Sequence, residues 1–344
     1  MNDANVIEPK AETSKGRNLL KTLPGLVISA GFLWYTFSKI SFSDLRAVRM
    51  VSPVWVAGVL AFTLASYTLR CVRWTRMMRS TGAKFGVCAR VLMTSLAANN
   101  ILPLRIGDIM RVFTYAGDLG ASPSVILSTV ILEKLLDIFI LVLLFTLTMG
   151  SNASAHSKAL AETLLVISTV GLLVLILGAR ALKGPLDRFF SKHASNKKIA
   201  KIEHFVMLAI DCLLEIGIAG SLLLLVQSAI IWACEGMIFF SFAELIGLVT
   251  DKTGPWAAVA VANLSYLIPS SPGAIGTLDL AVTADLAMHG AAAAQAAPFA
   301  LLVHAWLLIS VTGAGGLIFL LHRARMPEHK PLLKEIETLP AEMP

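Results

Sequence analysis

The sequence predicts an all-α, polytopic integral membrane protein, with about six full spans and two oppositely oriented re-entrant helical hairpins forming an inverted repeat. Three observations carry this reading. Of 344 residues, 56% are hydrophobic and only 15% charged, against about 25% charged in soluble domains; the mean hydropathy is +0.75. Apolar runs of about 17 residues or more recur along the chain. Two further apolar regions are interrupted by Pro and Gly. This composition excludes a soluble enzyme, a disordered chain and a secreted disulfide scaffold. No polar tract is long enough for a separate catalytic domain.

Three parts follow: a cytoplasmic N-terminal segment at 1–22, a transmembrane domain at 23–322 and a cytoplasmic tail at 323–344. The first segment carries Lys10, Lys15, Arg17 and Lys21 ahead of the apolar run 23–40. That run is longer than a signal-peptide core and lacks a small-x-small cleavage site, so it reads as an uncleaved first span. Runs at 53–69, 123–149, 161–179, 219–247 and 297–321 supply the other spans. Lys and Arg set the orientation. Segment 70–90 carries Arg70, Arg73, Arg76, Arg79, Lys84 and Arg90, and segment 180–204 is similarly basic. Loops 150–160 and 248–254 hold one lysine each, Lys158 and Lys252; loop 41–52, with Arg46 and Arg49, is the weak case. Both termini are therefore expected in the cytoplasm, and the arginines at 70–79 read as ordinary anchors of a cytoplasmic loop, with the gathering of anionic lipids as the alternative.

Sidedness constrains the interrupted regions. The chain is inside at 70–87 and outside at 150–160, so 88–117 must enter and leave on the cytoplasmic side. At 30 residues, with Arg105, Asp108 and Arg111 within it, it cannot span twice. It reads as a re-entrant hairpin. By the same parity, 255–290 dips in from outside and returns, with two short full spans as the alternative. The tips match: Ile101-Leu102-Pro103-Leu104-Arg105-Ile106-Gly107 and Leu267-Ile268-Pro269-Ser270-Ser271-Pro272-Gly273 are both aliphatic-aliphatic-Pro-x-x-x-Gly. Asn99 and Asn100 precede the first, and Asn263 the second. Each hairpin lies between two spans, and the two sets have opposite sidedness.

Irregular backbone survives at membrane depth only inside protein or around a watery cavity. Two broken hairpins from opposite faces place such a cavity near the midplane. The half-helices after the tips are expected to start near Asp108 and Thr277, which serve as N-caps and aim free N–H groups inward at an anion. Ordinary Pro and Gly kinks are the plainer alternative.

Charges at bilayer depth cost about 2.5–3.5 kcal/mol each on insertion scales, so retained ones are candidates. Arg105, Asp108 and Arg111 lie in or just after the first tip. Glu133, Lys134 and Asp137 lie near the middle of run 123–149 on one helix side. Two close carboxylates need a cation or proton between them; Lys134 supplies one charge, and Arg105 or Arg111 the other. The planar fork of Arg suits phosphate, so a phosphate-bearing lipid headgroup is the expected ligand. A satisfied packing network without substrate is the alternative. Glu215, Glu235, Glu244, Asp279, Asp285 and His304 are weaker candidates as proton sites, and a lone His in a span is more often a hydrogen-bonded packing residue. Residues 195–217 place Ile199, Ile202, Val206, Ala209 and Leu213 at helical spacing beside Lys197, Lys198 and Lys201. They suggest an amphipathic surface helix or a helix packed on the bundle. Cys71, Cys88, Cys212 and Cys234 lack CxxC spacing and read as small buried hydrophobes. Asn152-Ala-Ser154 and Asn263-Leu-Ser265 match the glycosylation pattern, a match common by chance.

Asn99-Asn100-Ile-Leu-Pro103-Leu-Arg105-Ile-Gly107-Asp108-Ile-Met-Arg111, then Glu133-Lys134-Leu-Leu-Asp137, then Pro269-Ser270-Ser271-Pro272-Gly273-Ala-Ile-Gly276-Thr277-Leu-Asp279 resembles the lysylphosphatidylglycerol synthase transmembrane region, or flippase-like, family over about residues 20–322. Ala274 stands where the second Gly is usual, and Asp279 where Glu is usual. The resemblance implies an all-helical membrane domain that moves a lipid or lipid-linked sugar between leaflets. The residues named in these three motifs are the expected substrate-binding residues. The soluble aminoacyl transferase of fused members is missing, so aminoacylation by this chain is not expected.

The expected function is thus translocation of an anionic phospholipid, glycolipid or polyprenyl-phosphate-linked lipid, in a bacterial inner membrane. No paired-His, DxD or Ser-His arrangement stands out; no enzyme activity, cofactor, metal or nucleic acid is expected. The alternative is a non-transporting membrane partner of an envelope lipid or polysaccharide synthesis complex, with a membrane-embedded lipid-modifying enzyme as the third reading. Other envelope-synthesis proteins or a second copy of the chain are the protein partners considered.

Overall fold

The computed structural model describes residues 49–102, 105–149, 155–191, 197–266 and 272–325. The expected first span, its basic lead, the C-terminal tail, Pro103, Pro269 to Ser271 and Asn152 to Ser154 lie outside them. Among the described residues the chain is helical and contains no strand. In order, the helices are α1 (Trp55–Met77), α2 (Phe85–Ile101), α3 (Ile106–Phe113), α4 (Ala116–Leu119), α5 (Pro123–Thr148), α6 (Ala155–Ser191), α7 (Lys197–Ile246), α8 (Gly254–Ser265), α9 (Thr277–Met288) and α10 (Ala293–Arg325). Short 3-10 turns cover Arg79–Thr81 and Pro272–Ala274.

Local chemistry sets the boundaries. Ser122 caps α5 by accepting from the Val125 amide, with Pro123 opening the helix. Gly82 and Gly120 end the turns before α2 and after α4 in left-handed conformations. Helix α7 is broken at Gly217, with φ 69° and ψ 174°, so 197–216 and 218–246 are separate rods. The break coincides with the sequence boundary at 217. Ile210 is buried, and Met207 and Leu214 pack against the same core; the side chains of Ile199, Ile202, Val206, Ala209 and Leu213 lie outside the description.

Helix α1, residues Leu214–Ile246 of α7 and residues Ala293–Ala324 of α10 are long and apolar enough to cross a membrane. Helix α5 is long enough too, at 26 residues, but carries three mid-helix charges. The arms of the two interrupted regions are shorter. Helices α3, α8 and α9, of 8, 12 and 12 residues, are about 12–18 Å long, well under the roughly 30 Å hydrocarbon core. Each pair folds back on itself: α2 packs on α3, and α8 on α9.

Two hydrophobic cores lie in the bundle, one behind each hairpin. Cys71, Trp74, Val91, Leu92, Ile126 and Leu136 belong to the first, and Ile238, Phe239, Ala258, Leu278, Val282 and Phe299 to the second. Interhelix packing exchanges between the halves. Helices α1 and α7, each preceding a hairpin, pack most extensively on one another. Helix α2 of the first hairpin packs on α10, which follows the second, while α8 of the second packs on α5, which follows the first.

Candidate functional site

The two breaks are built differently but share one feature. Helix α2 stops because Leu102, ahead of Pro103, is extended at ψ 143°. The chain re-enters helix through Arg105, left-handed at φ 52°. Gly107 then lets α3 touch α2: a Cβ there would overlap the Ser95 carbonyl and lie 2.6 Å from Asn99 Oδ1. In the second tip Gly273 (φ 69°), Ala274 (φ 56°) and Gly276 (φ 86°) turn the chain into α9. Among the described residues, each tip therefore holds one non-glycine residue in the left-handed region, Arg105 and Ala274.

The expected N-caps are corrected. Arg105 and Gly276, not Asp108 and Thr277, stand at the helix starts. Asp108 lies in the first turn of α3, and its amide donates to Asn99 Oδ1 (3.1 Å). Thr277 is the first residue of α9, and its hydroxyl donates back to the Ala274 carbonyl (2.9 Å). The Gly276 amide donates to Asp279 Oδ2 (2.9 Å). One amide at each of these helix starts is thus satisfied by a side chain of the chain itself, Asp108 N by Asn99 and Gly276 N by Asp279.

Helix α10 backs both tips. Asn100 Nδ2 donates to Thr312 Oγ1 (3.2 Å). Two helical turns away, His304 Nε2 lies 2.8 Å from the Gly273 carbonyl, and Nδ1 lies 2.9 Å from Asp279 Oδ1. The carbonyl only accepts, so Nε2 carries a hydrogen. His304 is thus a hydrogen-bonded residue that pins the second tip.

Between the tips lies a cavity of about 620 Å³. Of the residues singled out in the sequence, Asn99, Asn100, Arg105, Lys134, Asp137, Pro272 and Gly273 line it. Gly107, Asp108, Arg111, Glu133, Gly276, Thr277 and Asp279 are not on its wall. They stand behind it, shaping the tips and holding the charges. Tyr67, Arg70, Trp232, Glu235, Asn263 and Tyr266 complete the polar wall.

Four cations, Arg70, Arg73, Arg111 and Lys134, organise the charges. Arg111 is fully buried and meets Glu133 (Nη1 to Oε2, 3.2 Å) and Asp108 (3.9 Å), with its guanidinium 4.8 Å from the Trp74 ring centroid. Lys134 lies 3.8 Å from both Asp108 and Glu133. Asp137 receives Arg73 in a bidentate contact (2.6 and 3.1 Å), with the Trp232 indole donating at 3.1 Å. Glu235 accepts from Arg70 (3.1 Å) and Ser66 (2.7 Å) through the same oxygen.

This corrects the reading of Arg70 and Arg73 as loop anchors. Helix α1 continues to Met77, eight residues past the apolar run, and turns Arg73 inward, where it is 1% exposed. The signal available in sequence was Cys71, Trp74 and Met77, which extend an apolar face among the arginines. Arg111 does neutralise Glu133, but Asp137 is neutralised from α1. Arg105 pairs with neither carboxylate. It makes no ion pair among the described residues, and its guanidinium faces the Tyr266 ring at 5.8 Å. Of the weaker candidates, only Glu235 reaches the cavity wall.

Cys71 and Cys88 are buried free thiols, as expected, and Cys234 is half-buried. No group of three or more His, Cys, Asp or Glu side chains suited to a metal occurs among the described residues.

The model of the lysylphosphatidylglycerol synthase TM region matches residues 23–315, most of the chain. The chain belongs to this family. The comparisons with curated proteins and with solved structures returned no match. The family and the apolar helices make this a membrane protein with a lipid-related function, and the matched region is the membrane part of the synthase rather than a soluble catalytic part. The cavity between the hairpin tips lies wholly inside the matched region.

Proposed function

We propose that this member of the family is a lipid translocase. The phosphate-bearing headgroup occupies the cavity between the two tips, while the hydrocarbon tails stay in the bilayer. One observation carries the reading: the cavity wall joins both hairpin breaks and holds Arg105, a cation without an anionic partner among the described residues. A guanidinium offers a phosphate two parallel N–H donors, and Asn99, Asn100 and Lys134 stand on the same wall. Opening one hairpin at a time gives access from either leaflet. The short arms α3, α8 and α9 suit such movement. In this reading the chain lies in a bacterial inner membrane with both termini in the cytoplasm, and it does no covalent chemistry.

The test is fluorescent-lipid flipping in proteoliposomes, with native mass spectrometry of the gently solubilised protein. Wild type is expected to carry a phosphate-bearing lipid and to scramble or flip it. Arg105→Ala, which touches no ion pair, is expected to fold normally and lose both. Normal flipping by a well-folded Arg105→Ala variant would overturn the site. A wild type that binds the lipid yet never moves it would replace translocation with a partner role in an envelope-synthesis complex.

A further inference from the structure

The charges around the cavity can be counted in pairs. Arg73 balances Asp137 and Arg70 balances Glu235. Arg111 balances Glu133, and Lys134, at 3.8 Å, balances Asp108. Asp279 and His304 add nothing. Nε2 of His304 must donate to the Gly273 carbonyl, so one further proton lies between Nδ1 and Asp279 Oδ1. Whichever atom holds it, the pair is neutral. Tyr67 and Tyr266 are uncharged phenols. The residues of the two tips outside the description (Pro103, Leu104, Leu267, Ile268, Pro269, Ser270 and Ser271) have no ionisable side chain. Arg105 is left over, so the described wall and its supports carry one net positive charge.

In a region walled by protein and lipid, a net charge is expensive and its neutralisation favourable. We infer that the cavity selects a headgroup carrying a single negative charge, a phosphodiester, over a doubly charged phosphomonoester or a headgroup of zero net charge. The inference rests on the translocase reading and adds its charge rule. A phosphodiester brings the site to zero. A phosphomonoester dianion leaves one unbalanced negative charge beside Asp137 and Glu235. A zwitterion leaves Arg105 competing with the headgroup's own cation.

The rule names its own control residue. Glu235 lines the cavity and its partner Arg70 is only partly committed, with one 3.1 Å contact, a 3.9 Å approach to Asp137 and an unpartnered buried Nε. Glu235→Gln keeps an oxygen to accept from Ser66 and Arg70 but removes one negative charge, which raises the site to two positive charges. Arg105→Gln lowers it to zero.

The experiment is competitive lipid binding to the full chain in nanodiscs, read by native mass spectrometry at alkaline pH. The probes are phosphatidylglycerol (one charge), phosphatidic acid (a phosphomonoester near two charges) and phosphatidylcholine (none). Wild type is expected to favour phosphatidylglycerol over each of the others by about tenfold. Glu235→Gln is expected to move the preference toward phosphatidic acid by about tenfold, and Arg105→Gln to erase the advantage over phosphatidylcholine. Shifts in opposite directions cannot come from misfolding, which lowers all binding together. An unshifted preference, or equal binding of the singly and doubly charged lipids, would overturn the charge rule and leave the translocase reading intact. Absence of any lipid preference in wild type would overturn both. Deacylated glycerophosphoglycerol serves as the soluble arm. Competition at equal strength would keep the charge rule and remove the lipid from the function.

Discussion

Arg73 and Asp137, 64 residues apart in sequence, form a bidentate ion pair that joins α1 to α5 at the cavity wall, which Asp137 lines. Arg73 is 1% exposed and also donates to Ser228 Oγ on α7 at 2.6 Å. Its neighbour Arg70, less than one turn away, turns to the cavity instead. The two arginines therefore divide between holding the bundle and facing the cavity.

Removing Arg73 leaves a carboxylate buried without its cation. Arg73→Ala is expected to cost about 3–5 kcal/mol of stability, and Arg73→Lys most of that, since one ammonium cannot bridge two oxygens. Asp137→Ala on top of Arg73→Ala should recover part of the loss. A double-mutant cycle by thermal unfolding in detergent measures the coupling. Strictly additive losses would show that the pair contributes no coupling.

Gly107 lies where α3 crosses α2. Gly107→Ala forces a methyl group against the Ser95 carbonyl, which is backbone and cannot swing away. A loss of about 3 kcal/mol or more is expected, with the first hairpin opening ahead of the rest. Hydrogen exchange over 95–113 would report it. Unchanged protection there would mean the hairpin is looser than this contact requires.

Ala274 is left-handed at φ 56°. Glycine relieves a strain of about 1–2 kcal/mol at an entropy cost of about 0.5–1 kcal/mol. Ala274→Gly should therefore raise the melting temperature slightly and keep lipid binding. A lower melting temperature would show that the Cβ of Ala274 contributes packing greater than the strain.

Asp251, in the loop before α8, accepts from the Thr253 and Gly254 amides (both 2.9 Å) and faces His289 Nδ1 at 2.9 Å. Partial burial works against its ionisation, yet the hydrogen bonds from His289 and Thr253 win and hold its carboxyl below the usual carboxylate range. Because the folded value is depressed, the contribution is present above the ordinary Asp range, and it fades as pH falls through the lowered value. Asp251→Ala should cost about 1 kcal/mol at neutral pH, as for a lost helix cap. The difference from wild type should vanish in strong acid. A pH series of melting temperatures checks this, and a difference that persists in acid would place the effect in packing instead.

Much was legible in the chain. Pro and Gly at fixed places in two apolar regions forced the helix breaks, because a missing N–H and a left-handed backbone cannot be accommodated in a regular helix. The charges of Arg111 and Glu133 had to find partners at membrane depth, and they found each other. The helix caps were misplaced by a few residues, because left-handed Arg105 and the Asp279 contact to Gly276 are backbone geometries with no compositional mark. The roles of Arg70, Arg73 and Glu235 were not legible, since a basic stretch after an apolar run is the ordinary signature of a membrane-edge loop.

The sequence by itself thus determined the all-helical membrane class, the two broken hairpins and the residues that break them, because these follow from hydrogen bonding and apolar content along a local stretch. Only the tertiary structure decided which charges are spoken for. Pairing joins α1 to α5 and α7 and α3 to α5 across long sequence separations, and Arg105, the cation of the described cavity wall left without an ion pair, is defined only once the other wall charges have been assigned.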